Sequence, residues 1–103
     1  MKMCVLYLTC ANEKEADTIS LKLLEKRLVI CVKKFPVSSS FLWKGKINSS
    51  KEVMLIMDSV EEKFEQVKKE VAKLHSYKAF VLFSTPVTQT TQEVKDWIKQ
   101  ELE

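Results

Sequence analysis

Glycine is almost missing from this chain: its 103 residues contain one, Gly45. With no glycine-rich loop, phosphate-cradling and dinucleotide fingerprints are excluded. Only two prolines, Pro36 and Pro86, occur, and no low-complexity tract separates one part of the chain from another. One domain over residues 1–103 is expected, with no internal repeat. The single histidine, His75, rules out a His-Glu-x-x-His zinc site. No Ser/His/Asp or Cys/His pairing is supported by spacing, so the chain is not read as an enzyme. No apolar run approaches the ~20 residues of a membrane span.

Three cysteines, Cys4, Cys10 and Cys31, are too few and too odd in number for a disulfide framework. Cys4 and Cys10 fall on one expected strand, roughly 20 Å apart, so they cannot bridge within it. Reduced thiols in a reducing compartment, the cytoplasm, are expected. Lys2 and the apolar run Met3 to Leu8 imitate a signal peptide, but the run is too short and Asn12-Glu13-Lys14-Glu15 follows almost at once. The net charge of +3 is spread along the chain in short runs such as Lys33-Lys34 and Lys68-Lys69. These read as solvated faces, so no nucleic-acid partner is expected.

What is present is a regular alternation of elements. Met3 to Thr9 is an apolar run of β formers, expected as a central strand. Asn12 and Glu15 form a capping box, after which Ala16, Ile19, Leu23 and Leu24 share a helical face ending near Arg27. Leu28 to Met57 is rich in β-branched and aromatic residues and reads as hairpin strands. Its turn formers place one connection at Pro36–Ser40, a break at Gly45 and a second bend at Ile47–Ser50. Ser59-Val60-Glu61-Glu62 reads as a second capping box, opening a helix with Val60, Phe64, Val67, Val71 and Leu74 on one face. Ala79 to Phe83 is a short strand closed by Pro86. Thr90-Thr91-Gln92-Glu93 opens a last helix with Val94, Trp97, Ile98 and Leu102 as its apolar positions.

The order βαββαβ plus a C-terminal helix predicts an α+β, ferredoxin-like split βαβ sandwich. Right-handed crossovers put both main helices on one face of the sheet. Met54 and Ile56, or Leu55 and Met57, must then lie on the other face, which argues for burial in an oligomer. Two functions known on this fold are not supported. Arg27 is the only arginine and has no cradle of the acylphosphatase kind. Tyr7 has no second aromatic partner of the RNA-recognition kind, since Met54-Leu55-Ile56-Met57 offers none.

Several pieces together resemble one family. They are Ile30-Cys31-Val32, Phe41-Leu42-Trp43-Lys44-Gly45-Lys46, Glu52-Val53-Met54-Leu55-Ile56, Leu74-His75-Ser76-Tyr77, Pro86-Val87 and Trp97-Ile98. In this order and spacing the chain resembles the CutA family, proteins of divalent-cation tolerance. The resemblance implies a homotrimer in which long hairpin strands pair edge to edge between subunits. It also implies a metal site, copper or another divalent cation, using a first-strand cysteine, the histidine after the second helix and a later acidic residue. Here Cys10 lies about one position from the family's cysteine, His75 stands at the histidine, and Val81 replaces the acid. The family's His-Pro-Tyr-Glu-x-Pro-Glu is His75-Ser76-Tyr77-Lys78-Ala79-Phe80-Val81 in this chain, without its prolines and acids. A Cys/His pair alone is a poor divalent site.

Two functional expectations result. One is a CutA-type trimer holding a divalent metal weakly through Cys10 and His75. The other is a non-enzymatic trimer resembling PII signalling proteins, binding a small anionic ligand or a protein partner in clefts between subunits. Trp43, Lys46 and Tyr77 are the candidate pocket residues for that ligand. Cys31, mid-strand among apolar neighbours, is expected to be a buried structural thiol.

Overall fold

The computed structural model describes residues 1–103. Its elements are β1 (Met3–Cys10), α1 (Glu13–Glu25), β2 (Cys31–Trp43), β3 (Lys46–Val60), a single 3₁₀ turn (Glu61–Lys63), α2 (Phe64–Leu74), β4 (Leu82–Pro86) and α3 (Gln92–Leu102). The four strands form one sheet in the order β2-β3-β1-β4, antiparallel throughout. This is the ferredoxin-like α+β arrangement that the sequence predicts.

Alternation along β1 sorts its side chains. Cys4, Leu6, Leu8 and Cys10 are fully buried, while the residues between them are only half-buried. The buried set meets Ala16, Ile19 and Leu23 of α1 and Val67 and Val71 of α2, so both helices cover the same face. Leu55 and Met57 of β3 join that core, leaving Met54 and Ile56 half-buried on the opposite face. A smaller cluster of Val60, Ile98 and Leu102 seats α3 beside Met3 and Ile30.

Helix α1 begins as predicted, with the Asn12 side chain accepting a hydrogen bond from the Glu15 N–H at 2.8 Å. It ends with Arg27 at φ 54°, where the Leu28 N–H reaches back to the Leu23 carbonyl. That is a glycine-like cap occupied by arginine.

The hairpin differs from its sequence expectation. Pro36–Ser40 is not a turn and Ile47–Ser50 is not a bend. Strand β2 runs unbroken to Trp43, and Ser38, Ser39 and Ser40 pair with Lys51, Ser50 and Ser49. The reversal is the two-residue turn Lys44-Gly45, with φ values of 51° and 78°. A two-residue hairpin needs positive φ at both central positions, and glycine supplies it without steric cost. Proline is tolerated because β2 is an edge strand.

The second capping box also gives way. Ser59 is fully buried inside β3 and donates to the Leu28 carbonyl at 2.6 Å, so the helix starts later, through the 3₁₀ turn. Thr91 rather than Thr90 caps α3, accepting from the Val94 N–H at 3.3 Å. Strand β4 lies three residues beyond its predicted start. Cys31 is only half-buried, with the Lys33 ammonium 3.6 Å from its sulfur, which corrects its reading as a buried thiol.

Beyond the Cys10–Val53 pair, β2 and β3 continue alone to the turn. At about 3.4 Å per residue this two-stranded ribbon projects ~24 Å past the sheet. The molecule measures 45 × 25 × 22 Å, and its radius of gyration of 14.4 Å exceeds the ~13 Å of a compact chain this long.

The turn geometry predicts two opposite effects. Gly45→Ala, at a position where an added Cβ meets nothing within 4 Å, carries only the backbone cost, about 1 kcal/mol of lost stability. Lys44→Asn places a residue tolerant of positive φ in the other position and adds a few tenths of a kcal/mol. Urea unfolding of the two variants measures both; a neutral Gly45→Ala contradicts the positive φ at this turn.

Candidate functional site

The end of β1 nearest the ribbon gathers the chain's least ordinary polar groups. Cys10 is the last residue of β1 and fully buried. Glu15 stands in the first turn of α1, held there by the capping geometry of Asn12. His75 is the C-cap of α2, and Tyr77 follows it in the loop towards β4. Glu52 lies on β3 one residue beyond the Cys10 pairing partner, Val53, and is only 7% exposed. Three element ends and one strand thus converge.

The hydrogen bonds fix the histidine. Its side chain is 0% exposed. The Tyr77 N–H donates to Nδ1 at 3.0 Å, so Nδ1 carries a lone pair. Nε2 therefore holds the proton and donates to the Thr9 carbonyl at 2.8 Å. Phe80 stacks on the ring at a centroid distance of 5.3 Å. This contact takes Phe80 out of the strand in which the sequence placed it. Glu15 approaches Nδ1 at 3.5 Å while accepting from the backbone N–H of Ala11 at 3.0 Å and of Ser76 at 2.9 Å.

Charge in the site is negative. Burial raises the pKa of Glu15, but the N–H donors of Ala11 and Ser76 outweigh it, and the net value lies below the ordinary one. Burial, then the carboxylates of Glu15 and Glu52, push the Cys10 thiol up to about 12, so it is a neutral thiol at physiological pH. Tyr77 is also pushed up to about 12, by burial and by its hydrogen bond to Glu52, to which its hydroxyl donates at 2.8 Å. Neither Glu15 nor Glu52 makes an ion pair with a lysine or arginine, whereas Glu13, Asp17, Asp58 and Glu70 all do.

Cys10, Glu15 and His75 each present one ligand atom, all within 4.8 Å of one another. Thiolate, carboxylate and imidazole form a mixed donor set suited to copper or zinc. Cys10 and His75, the two metal candidates that the resemblance implied, both lie in this group. Glu15, which the sequence offered only as a capping residue, places a carboxylate in this group, where Val81 has none to offer. Its double duty was hidden because spacing along one helix says nothing about a loop 60 residues later.

The predicted pocket of Trp43, Lys46 and Tyr77 is not assembled within one chain. Trp43 and Lys46 are the pair flanking the hairpin turn. Tyr77 belongs to the Cys10 site, roughly 20 Å back along the ribbon.

The fold and this site define a ferredoxin-like α+β protein with an unpaired acidic Cys/Glu/His cluster at the end of its sheet. A family model described as CutA1 divalent ion tolerance protein matches residues 4–101, and the chain belongs to that family. The divalent-cation tolerance protein CutA of Archaeoglobus fulgidus is 38% identical over 98 residues, covering 95% of this chain and 96% of that protein. Its Thermotoga maritima counterpart is 37% identical, covering 95% and 97%. The human protein CutA is 32% identical over 95 residues, covering 91% of this chain and 53% of its own length. A solved structure of the Archaeoglobus fulgidus protein, there described as periplasmic, superposes with a TM-score of 0.96 at 37% identity, covering 98% and 99%. Rice CutA1, at 21% identity and TM-score 0.96, shares the fold. No helix of this chain is long and apolar enough to cross a membrane.

Two effects follow from the site. Because Glu15 has a depressed pKa when folded, its contribution to stability is present above the ordinary carboxylate value and is lost as pH falls through the folded one. Melting temperatures of wild type and Glu15→Gln should therefore differ most near neutral pH and converge in acid; a constant gap contradicts the ionised role. Tyr77→Phe leaves Glu52 nearly buried without its donor and costs about 1–3 kcal/mol in urea unfolding.

Proposed function

We propose that this chain acts as a non-enzymatic CutA1 protein, one domain over residues 1–103, that assembles as a homotrimer and binds a divalent cation weakly at Cys10, Glu15 and His75. The observation carrying this reading is the convergence of three different metal-ligand types within 4.8 Å. The relatives' description as divalent-cation tolerance proteins supports the ligand class. Copper(II) and zinc(II) suit the mixed donors best.

Weak binding has a physical cause. Both ring nitrogens of His75 are already satisfied, so a metal at Nδ1 must displace the Tyr77 N–H. Cys10 must lose a proton from a thiol whose pKa is about 12. Each step costs free energy that a preformed site would not require.

The cytoplasm is the compartment we favour. The three thiols are free. Cys4 pairs with Ser59 and Cys31 with Asp58, placing those two cysteines two strands apart, about 9.5 Å, too far to bridge. The alternative of a PII-like trimer with a small anionic ligand is less favoured, because Tyr77, one of its three candidate residues, donates to Glu52 in the acidic Cys10 site. Its other half, a protein partner, is favoured by the apolar hairpin end, where Leu42 is 76% and Ile47 80% exposed.

Calorimetric titration with Cu(II) and Zn(II) tests the metal reading. Binding should weaken in His75→Ala and Glu15→Gln alike. It should also tighten roughly tenfold per pH unit as Cys10 gives up one proton. Binding indifferent to both substitutions removes the metal from this cluster.

A further inference from the structure

The ligand-type side chains of the Cys10 site are shut away from solvent. Cys10 and the His75 side chain are 0% exposed, and the Glu15 side chain is 9% exposed. A cation can touch the Cys10 sulfur or His75 Nδ1 only after part of the protein moves. The sheet is not that part, because β1 is paired on both sides, to β3 and to β4. Helices α1 and α2 are held too, through Ala16, Ile19, Leu23, Val67 and Val71 in the main core. What remains is the stretch between α2 and β4. We infer that residues 76–79 form a hinged strap over the site, that the Tyr77 side chain is its latch, and that a cation reaches Cys10 when the strap lifts. The inference rests on the metal reading above for its occupant and adds the route by which that occupant enters.

The strap is tied down by side-chain acceptors alone. No backbone–backbone hydrogen bond involves residues 76–79, whereas the chain on either side is fixed that way. The His75 N–H donates to the Val71 carbonyl at 2.8 Å, and the Thr9 N–H donates to the Val81 carbonyl at 3.2 Å. Between those points the Ser76 N–H donates to Glu15 at 2.9 Å, the Tyr77 N–H to His75 Nδ1 at 3.0 Å and the Tyr77 hydroxyl to Glu52 at 2.8 Å. Residues 76–79 are exposed, so lifting them uncovers little apolar surface. Phe80, packed against the core and stacked on His75, stays behind as one hinge. A segment fastened in this way opens at a cost well below that of unfolding the sheet.

The attachments differ in what they hold. Glu15 and His75 belong to the ligand group. The Nδ1 lone pair that accepts the Tyr77 N–H is the one a metal would need, so closed strap and bound cation exclude one another there. Apparent affinity is then reduced by the fraction of molecules in which the strap is open. Glu52 stands outside the ligand group, so the Tyr77 hydroxyl holds the strap shut without occupying a ligand atom. The tyrosine ring reaches from the imidazole, 5.0 Å between centroids, to that carboxylate.

Alkylation separates strap opening from unfolding. Cys4 and Cys10 are both 0% exposed and lie near opposite ends of β1. Wild type is treated with N-ethylmaleimide without metal, and each cysteine is followed by mass spectrometry. Cys10 is expected to react faster than Cys4. Ile98→Val, in the separate cluster that seats α3, should speed Cys4 and leave Cys10 unchanged. Tyr77→Phe should speed Cys10 roughly tenfold, the effect of losing one hydrogen bond to a carboxylate. A Cys10 rate no greater than that of Cys4 in wild type, or one that rises with Ile98→Val, overturns the strap. Calorimetry with Zn(II) tests the latch. Tyr77→Phe should bind Zn(II) about tenfold tighter, because more molecules are open, whereas loss of a residue that supports the site would weaken binding. Unchanged or weaker binding overturns the latch. Absence of Zn(II) binding in both proteins overturns the metal reading and the cation as occupant, while the alkylation rates still decide the strap.

Discussion

A two-stranded ribbon cannot stand alone in water, and this molecule has one that outruns its sheet by about seven residues on each strand. Isolated hairpins are marginal because half of their backbone groups and both side-chain faces remain solvated. Here the exposed end also carries Phe41, Leu42, Trp43 and Ile47. The same ribbon shares strand β3 with the core, so its inner half is rigid. A stiff, apolar, unpaired projection asks for a partner surface. The opposite sheet edge, with Phe83 exposed and the outer side of β4 unpaired, is the complementary feature of the same chain.

The Cys10 site sits where the core gives way to the ribbon, and its chemistry reflects that position. Element ends supply it: the close of β1, the first turn of α1, the last turn of α2. Helix ends leave backbone N–H and carbonyl groups over, and these hold the side chains in place. Thr9 and Tyr77 orient His75, while Ala11 and Ser76 hold Glu15 charged. The outcome is an imidazole with both nitrogens hydrogen-bonded and a neutral thiol beside two carboxylates, with no lysine or arginine among them. Such a site repels anions and attracts cations, whether a metal or an ammonium group.

Much of this was legible in the sequence because it rests on periodicity. The buried face of β1 and the Asn12 cap are local patterns and appear as written, and the apolar stripes of α1 and α2 do so apart from Leu24, which is exposed, and Val60, which ends β3. The hairpin was misread for a physical reason. Proline and serine usually signal turns, but on an edge strand Pro36 loses no ladder bond that matters, and the serines pair across to Ser49 and Ser50. Ser59 likewise looked like a cap until the buried carbonyl of Leu28 claimed its hydroxyl. Cys10 and His75 were recognisable through the family resemblance. Glu15 and Glu52 were not, since each had a sufficient local role, one as a cap and one as a strand residue, and only the tertiary fold brings them together.

Assembly is the claim on which the rest turns, because the ribbon and the open edges both depend on it. Light scattering on the purified chain at micromolar concentration, without added metal, tests it most directly. The account predicts a mass of three times the 12.0 kDa chain. A stable, well-folded species of one chain mass would contradict it, leaving the ribbon uncovered.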